Sequence, residues 1–172
     1  MVILKVVATI LVAGAYGSML EWFVHKIVYH RWLVKMHAKH HAEYHGARFQ
    51  QPGTYHSLQR WWIVLGVLGL HALLCLGLGA ELGAVVGVAA FLVIVLFTFG
   101  SNYLHTAIHQ PHRRLIERTT WYGRLVARHR AHHIDSRVNF TVSSRIADLM
   151  FDTFRAGVES GASFARACPG ER

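Results

Sequence analysis

Charge is scarce in this chain: only 16% of its 172 residues are Asp, Glu, Lys or Arg, against 53% hydrophobic, and the mean hydropathy is +0.29. A globule of this length has too little interior to hide so many apolar side chains, which argues against an ordinary soluble domain and for a membrane protein. The low polarity likewise excludes disorder. Two cysteines, Cys75 and Cys168, exclude a disulfide framework. The chain has no internal repeat, no GxGxxG after a strand and no cysteine array for an iron–sulfur cluster, so it carries no electron carrier of its own. Acids are half as numerous as bases, 9 against 18, and Lys and Arg are missing altogether between Trp61 and His112.

Three apolar runs fill most of what remains, at about 2–24, 61–80 and 82–104. At about 1.5 Å rise per residue, some 20 residues cross the roughly 30 Å hydrocarbon core, so each run is long enough for one transmembrane helix. The second and third are separated by Gly79-Ala80-Glu81-Leu82-Gly83, where glycine can close a tight hairpin. Its tip lacks Lys and Arg, whereas Lys26 to Arg60 and Arg113 to Arg172 hold 17 of the 18 basic residues. By the positive-inside rule these segments are cytoplasmic, with the N-terminus outside and the C-terminus inside. Topology and anionic lipid headgroups thus account for the basic residues, and no nucleic-acid partner is expected. Ser143 to Phe154 places Ile146, Leu149, Met150, Phe151 and Phe154 on one side of a short helix suited to an interface or to packing. Residues 1–155 read as one domain, followed by a loose tail at 156–172 in which Cys168 stays a reduced thiol. The fold class is therefore an all-α integral membrane protein with about three transmembrane helices.

Fourteen histidines stand apart from this plain composition. Ten form four clusters: His25 and His30; His37, His40 and His41; His105 and His109; His129, His132 and His133. Positions i, i+3 and i+4 share a helix face, so HxxHH and HxxxH gather their imidazoles on one side. His25 and His30 are five residues apart, about 140° around an α-helix, and need flexed geometry to converge. Neutral imidazole binds Fe, Zn, Cu and Ni, and ten such ligands suit two ions. A cytoplasmic, histidine-rich helical cap holding a dinuclear site follows. His45, His56 and His112 read as surface or headgroup-level residues, and His71 as a mid-span residue facing protein or a cavity.

HxxxxH, HxxHH, HxxxH and HxxHH in this order, with a hydrophobic hairpin between the second and third clusters, resembles the fatty acid hydroxylase/sterol desaturase superfamily of integral-membrane di-iron enzymes. Asn139-Phe140 and the segment Ile146 to Phe154 are similar to that family's closing segment, with Asp152 standing where it has glycine. The resemblance covers roughly Glu21 to Phe154 and implies that the ten clustered histidines bind two Fe ions, with Zn as a purification substitute. It further implies an oxidoreductase that uses O2 and external electrons to hydroxylate an unactivated C–H bond of a lipid drawn from the bilayer, a fatty acyl chain first of all. A carotenoid ring hydroxylase and a sterol-type desaturase are the alternatives within the superfamily; the HxxxH spacing of His105 and His109 favours the acyl-lipid enzyme. Outside catalysis, a metal transporter would place its ligands near mid-bilayer, where only His71 lies, and bis-histidine haem leaves the HxxHH triplets unexplained.

Metal-bound imidazoles need acceptors for their outer N–H groups. Glu21, one turn before His25, Asp135, two residues after His133, and Asn102, three before His105, are the candidates. Glu21 could instead pair with Lys26 or Arg31. Electrons must come from a separate reductase or ferredoxin-type protein, for which the arginine-rich Arg113 to Arg130 offers a docking segment.

Overall fold

The computed structural model describes residues 2–51, 61–112 and 114–156, and among these every regular element is helical. Helix α1 (Val2–Phe23) is apolar all round and buries only Ala13, Gly17 and Ser18. Helices α3 (Trp61–Leu82) and α4 (Ala84–His109) form the hairpin. The turn between them shrinks to Gly83, whose φ of 110° is open to glycine and strained for any other residue. A Cβ on Gly87 would lie 2.4 Å from the Cys75 carbonyl oxygen and 2.9 Å from the Gly79 Cα, so the two helices approach backbone to backbone.

Two boundaries differ from the apolar runs. The first helix does not stop near Val24: it continues as a π-helix through Val24–Trp32, closed by the Leu33 N–H donating to the Val28 carbonyl, five residues back, at 2.8 Å. The third continues past Leu104 to His109. Both extensions carry histidines, so hydropathy falls where the helix goes on. The three long helices, Val2–Trp32, Trp61–Leu82 and Ala84–His109, are long and apolar enough to span a membrane. Most of their surface faces outward, as lipid-facing helices must.

Helix α2 (Val34–Glu43) follows the π-helix, and α5 (Thr120–Ile134) is capped by the Thr119 side chain accepting from the Tyr122 N–H. A small core of Phe49, Leu104, Ala107, Ile108, Tyr122, Leu125, Val126 and Val142 holds the histidine-bearing ends together. Helix α6 (Ile146–Met150) is shorter than the expected Ser143–Phe154 helix. It ends because Thr153 and Phe154 donate their N–H groups to the Asp148 carbonyl, with Asp152 at φ 52° in the left-handed region. Ala147 and Asp148 are buried against the body, where the Ala147 N–H donates to Ser18 Oγ at 3.1 Å. Ile146, Leu149, Met150 and Phe151 point outward, a row suited to a bilayer interface. The tail beyond residue 156, Cys168, His56 and Arg113 lie outside the described residues.

Candidate metal centre

The π-helix solves the His25–His30 spacing. Hydrogen bonds running five residues back bring positions five apart over one another, and the two rings sit 5.3 Å apart. The structure gathers all ten clustered histidines into two groups, in each of which one nitrogen per residue lies within 4.8 Å of all the others. One group is His25, His30, His37, His41 and His132; the other is His40, His105, His109, His129 and His133. Each HxxHH triplet is therefore divided. The i, i+4 pair, His37 with His41 and His129 with His133, turns to one group, while His40 and His132 sit on the adjoining side of their helices and turn to the other. The groups adjoin, with the His41 and His133 rings stacked at 4.2 Å and 8°.

The donor atoms fit metal ions. His25 Nδ1 lies 2.5 Å from the Phe140 carbonyl, His132 Nδ1 2.7 Å from that of Val138, and His109 Nδ1 2.9 Å from that of Phe49. A carbonyl only accepts, so these Nδ1 atoms carry the proton and the Nε2 lone pairs face inward. Inward Nε2 atoms stand 3.1 Å apart for His25 and His37, 3.0 Å for His37 and His41, and 3.0 Å for His109 and His129. Two ligands at about 2.1 Å from one ion and at right angles are about 3.0 Å apart. Burial, reinforced by the neighbouring imidazoles, pushes His37 down to about 2 and His41 down to about 4, and holds His40, His129, His132 and His133 well below the usual imidazole value. The rings are thus neutral ligands whose converging lone pairs call for a cation.

The expected carboxylate acceptors are corrected by these contacts. Glu21 holds neither His25 nor Lys26 nor Arg31: its carboxylate accepts from the Ser101 hydroxyl, the Val142 N–H at 3.0 Å and the Ser143 hydroxyl at 2.5 Å. It ties α1 to α4 and to the non-helical closing segment, two residues beyond the carbonyl that holds His25. Asp135 is engaged by Arg137 at 2.9 and 3.1 Å at the surface, and His133 Nδ1 has no hydrogen-bond partner among the described residues. Asn102 lines a cavity beside His105, and its carbonyl accepts from Thr106. For His25, His109 and His132 the acceptors are main-chain carbonyls, which no residue type announces.

Two residues of the closing segment organise the stretch that carries the Val138 and Phe140 carbonyls. Asp148, 1% exposed, accepts from the Phe140 and Thr141 N–H groups at 2.9 Å each, from the Thr141 hydroxyl, and from the Thr153 hydroxyl at 2.7 Å. Asn139, at φ 52°, donates to the Arg128 and Arg155 carbonyls and accepts from the Arg155 N–H at 2.8 Å. Trp22 donates to the Thr153 hydroxyl at 3.0 Å and so joins the segment to α1. His45 and His112 are exposed, and His71 is buried in α3.

A cavity of ≈ 110 Å³ opens on His25, His37 and His105 between α1, α3 and α4, with Val24, Ile63 and Phe97 among its walls. Three membrane-length helices carrying a buried ten-imidazole cradle that could hold metals, beside a largely apolar cavity, define a helical membrane protein with a candidate metal centre. The profile of the fatty acid hydroxylase family matches residues 10–153, and the chain belongs to that family, within the fatty acid hydroxylase/sterol desaturase superfamily. It is a hydroxylase-type membrane enzyme. No curated protein and no solved structure matches the chain.

Proposed function

We propose that this protein is an O2-dependent lipid hydroxylase with two iron ions, acting on an unactivated C–H bond of a fatty acyl chain. The observation that carries the reading is the pair of adjoining five-imidazole groups, lone pairs inward, at the end of an apolar cavity. Iron held there supplies the redox and dioxygen chemistry that zinc, an equally good fit to the ligands, lacks. The chain's own residues do the rest. Ten neutral imidazoles keep the ions in place, and the carbonyls of Phe49, Val138 and Phe140 hold three rings in one tautomer. Apolar walls admit an alkyl chain and keep bulk water from the reacting carbon. No protein nucleophile or general base is assigned.

Electrons come from a separate reductase or ferredoxin-type protein, drawn to the basic face. The cap faces the cytoplasm, since 17 of 18 basic residues flank it, and Trp32, Trp121 and Leu115, all exposed, sit among those bases at headgroup level. Cysteine placed at Arg137 should be labelled by an impermeant thiol reagent only in opened cells, and cysteine at Glu81 in intact ones.

The test of the reaction is anaerobic iron loading of purified protein, then reduction under 18O2 with extracted membrane lipid. Two irons per chain and an acyl chain heavier by one labelled oxygen are expected. A content of one ion or fewer, or lipid without label, refutes the reading.

A further inference from the structure

The metal centre leaves a mid-membrane polar pair without a role. Helices α1 and α3 each pack on α4 and barely on each other, so a groove runs between them with α4 as its back wall. It holds two chambers. The ≈ 110 Å³ chamber ends on the metal-side histidines, and a second of ≈ 590 Å³ runs the other way, past Leu74, Leu78 and Val86 to Lys5. Both stop at one level: Gly17 and Val67 line the first, Tyr16 and His71 the second.

At that level the groove is bridged. The Tyr16 hydroxyl and His71 Nε2 are 2.8 Å apart, and His71 Nδ1 is 2.6 Å from the Val67 carbonyl. The carbonyl accepts from the Nδ1–H, so Nε2 is unprotonated and accepts from the tyrosine. Phe97 closes the α4 side, pressed so closely on Gly17 that a Cβ there would meet its ring at 2.6 Å. A histidine within an apolar helix is expensive unless satisfied, and this one is satisfied on both nitrogens and 4% exposed. Any leucine would fill space at less cost; what the pair adds is a directional tie between two helices that otherwise scarcely touch.

We propose that the Tyr16–His71 strap is the stop for the substrate's alkyl chain and thereby selects which carbon is oxidised. The inference rests on the lipid-hydroxylase reading and sharpens its substrate. The headgroup stays at the metal-side interface, the chain passes the histidines, and its methyl end abuts the strap. Tyr16 precedes His25 by nine residues, about 13 Å of helix. An extended chain with C–C bonds of about 1.5 Å covers that in about ten carbons, so the substrate is a lipid with at most about ten unsubstituted carbons beyond the oxidised position.

The experiment uses full-length, iron-loaded protein in nanodiscs, fatty acids of graded length carrying a diazirine at the methyl end, and peptide mapping after irradiation. In the wild type the label falls on residues 17–24 and 63–67 for every chain that binds. In Tyr16→Ala the share of label on residues 8–13 and 74–78 rises at least fivefold, and in Tyr16→Phe, which keeps the ring, it rises less. Val67→Trp, which shortens the metal-side chamber and keeps the main-chain carbonyl that holds His71, shifts the label toward His25 and lowers capture of the longest chains at least threefold. An unchanged map in both Tyr16→Ala and Val67→Trp overturns the strap and leaves the lipid reading standing. Absence of label from both chambers in the wild type overturns both.

Discussion

Four of the five imidazoles in the group of His40, His105, His109, His129 and His133 come from α4 and α5, regular helices packed around Phe49, Ile108 and Leu125. The group of His25, His30, His37, His41 and His132 takes two from a π-helix, two from α2 and one from α5. Two of its rings are held by carbonyls of the non-helical stretch 138–140. Helix register and core packing position most of the first group, with the Phe49 carbonyl holding His109; the second depends on a hydrogen-bonded closing segment that Asp148, Asn139 and Glu21 pin in place. Equal histidine counts therefore conceal unequal support, and the group that leans on the closing segment is the one with two residues, His25 and His37, on the cavity.

The largest effects should ignore this difference. His129→Ala and His132→Ala, one from each group, are each expected to lower the metal content from two ions toward one and abolish oxidation with membrane insertion intact, read by metal analysis and lipid mass spectrometry. Full activity in either variant would contradict that residue's assignment as a ligand.

Asp148→Ala should split the groups. It strips the partners from two buried N–H groups and two hydroxyls, costing about 3 kcal/mol in unfolding free energy. It frees the Phe140 carbonyl, so affinity at the His25 group should fall 10- to 100-fold. The His109 group keeps its ion, as stepwise metal titration would show; equal weakening at both would erase the distinction.

Acid acts next. In the metal-free protein His41 is held down to about 4 and His37 down to about 2, below the ordinary 6.5, chiefly by burial. Below pH 6.5 the unfolded chain binds protons that the folded chain refuses, so stability is whole above about 6.5 and falls as the pH drops toward 4 and then 2. Metal binding competes with the same protons and should move the loss to lower pH. Melting curves of metal-free and loaded protein between pH 7.5 and 4.5, conditions of about that range being set by these shifts, would reveal it.

The smallest change should be a gain. Asp152 sits at φ 52°, where the resembled family has glycine, and its only ion pair among the described residues is an exposed one with Arg155 at 3.8 Å. Asp152→Gly should relieve about 1 kcal/mol of backbone strain, raise the melting temperature by a few degrees, and tighten the His25 group more than the other.

Much of the molecule could be read residue by residue. The three apolar runs, the glycine-closed hairpin and the gap in Lys and Arg all depend on local composition. The four histidine clusters depend on spacing within one helix. Glu21 and Asp135 were misassigned because proximity along the chain names an acid but not its partners, which for Glu21 lie at Ser101, Val142 and Ser143. Helix lengths were underestimated because histidines lower hydropathy exactly where α1 and α4 run on into the cradle, a case of function overriding pattern.

What the sequence by itself determined is a membrane-length helical chain with ten imidazoles in four clusters, since periodicity and hydrophobicity act within a single segment. Tertiary structure alone decided how each HxxHH triplet is divided, which carbonyls hold the rings and where Tyr16 meets His71. Those outcomes depend on how separate helices are rotated and set against one another, and on backbone atoms that every residue shares.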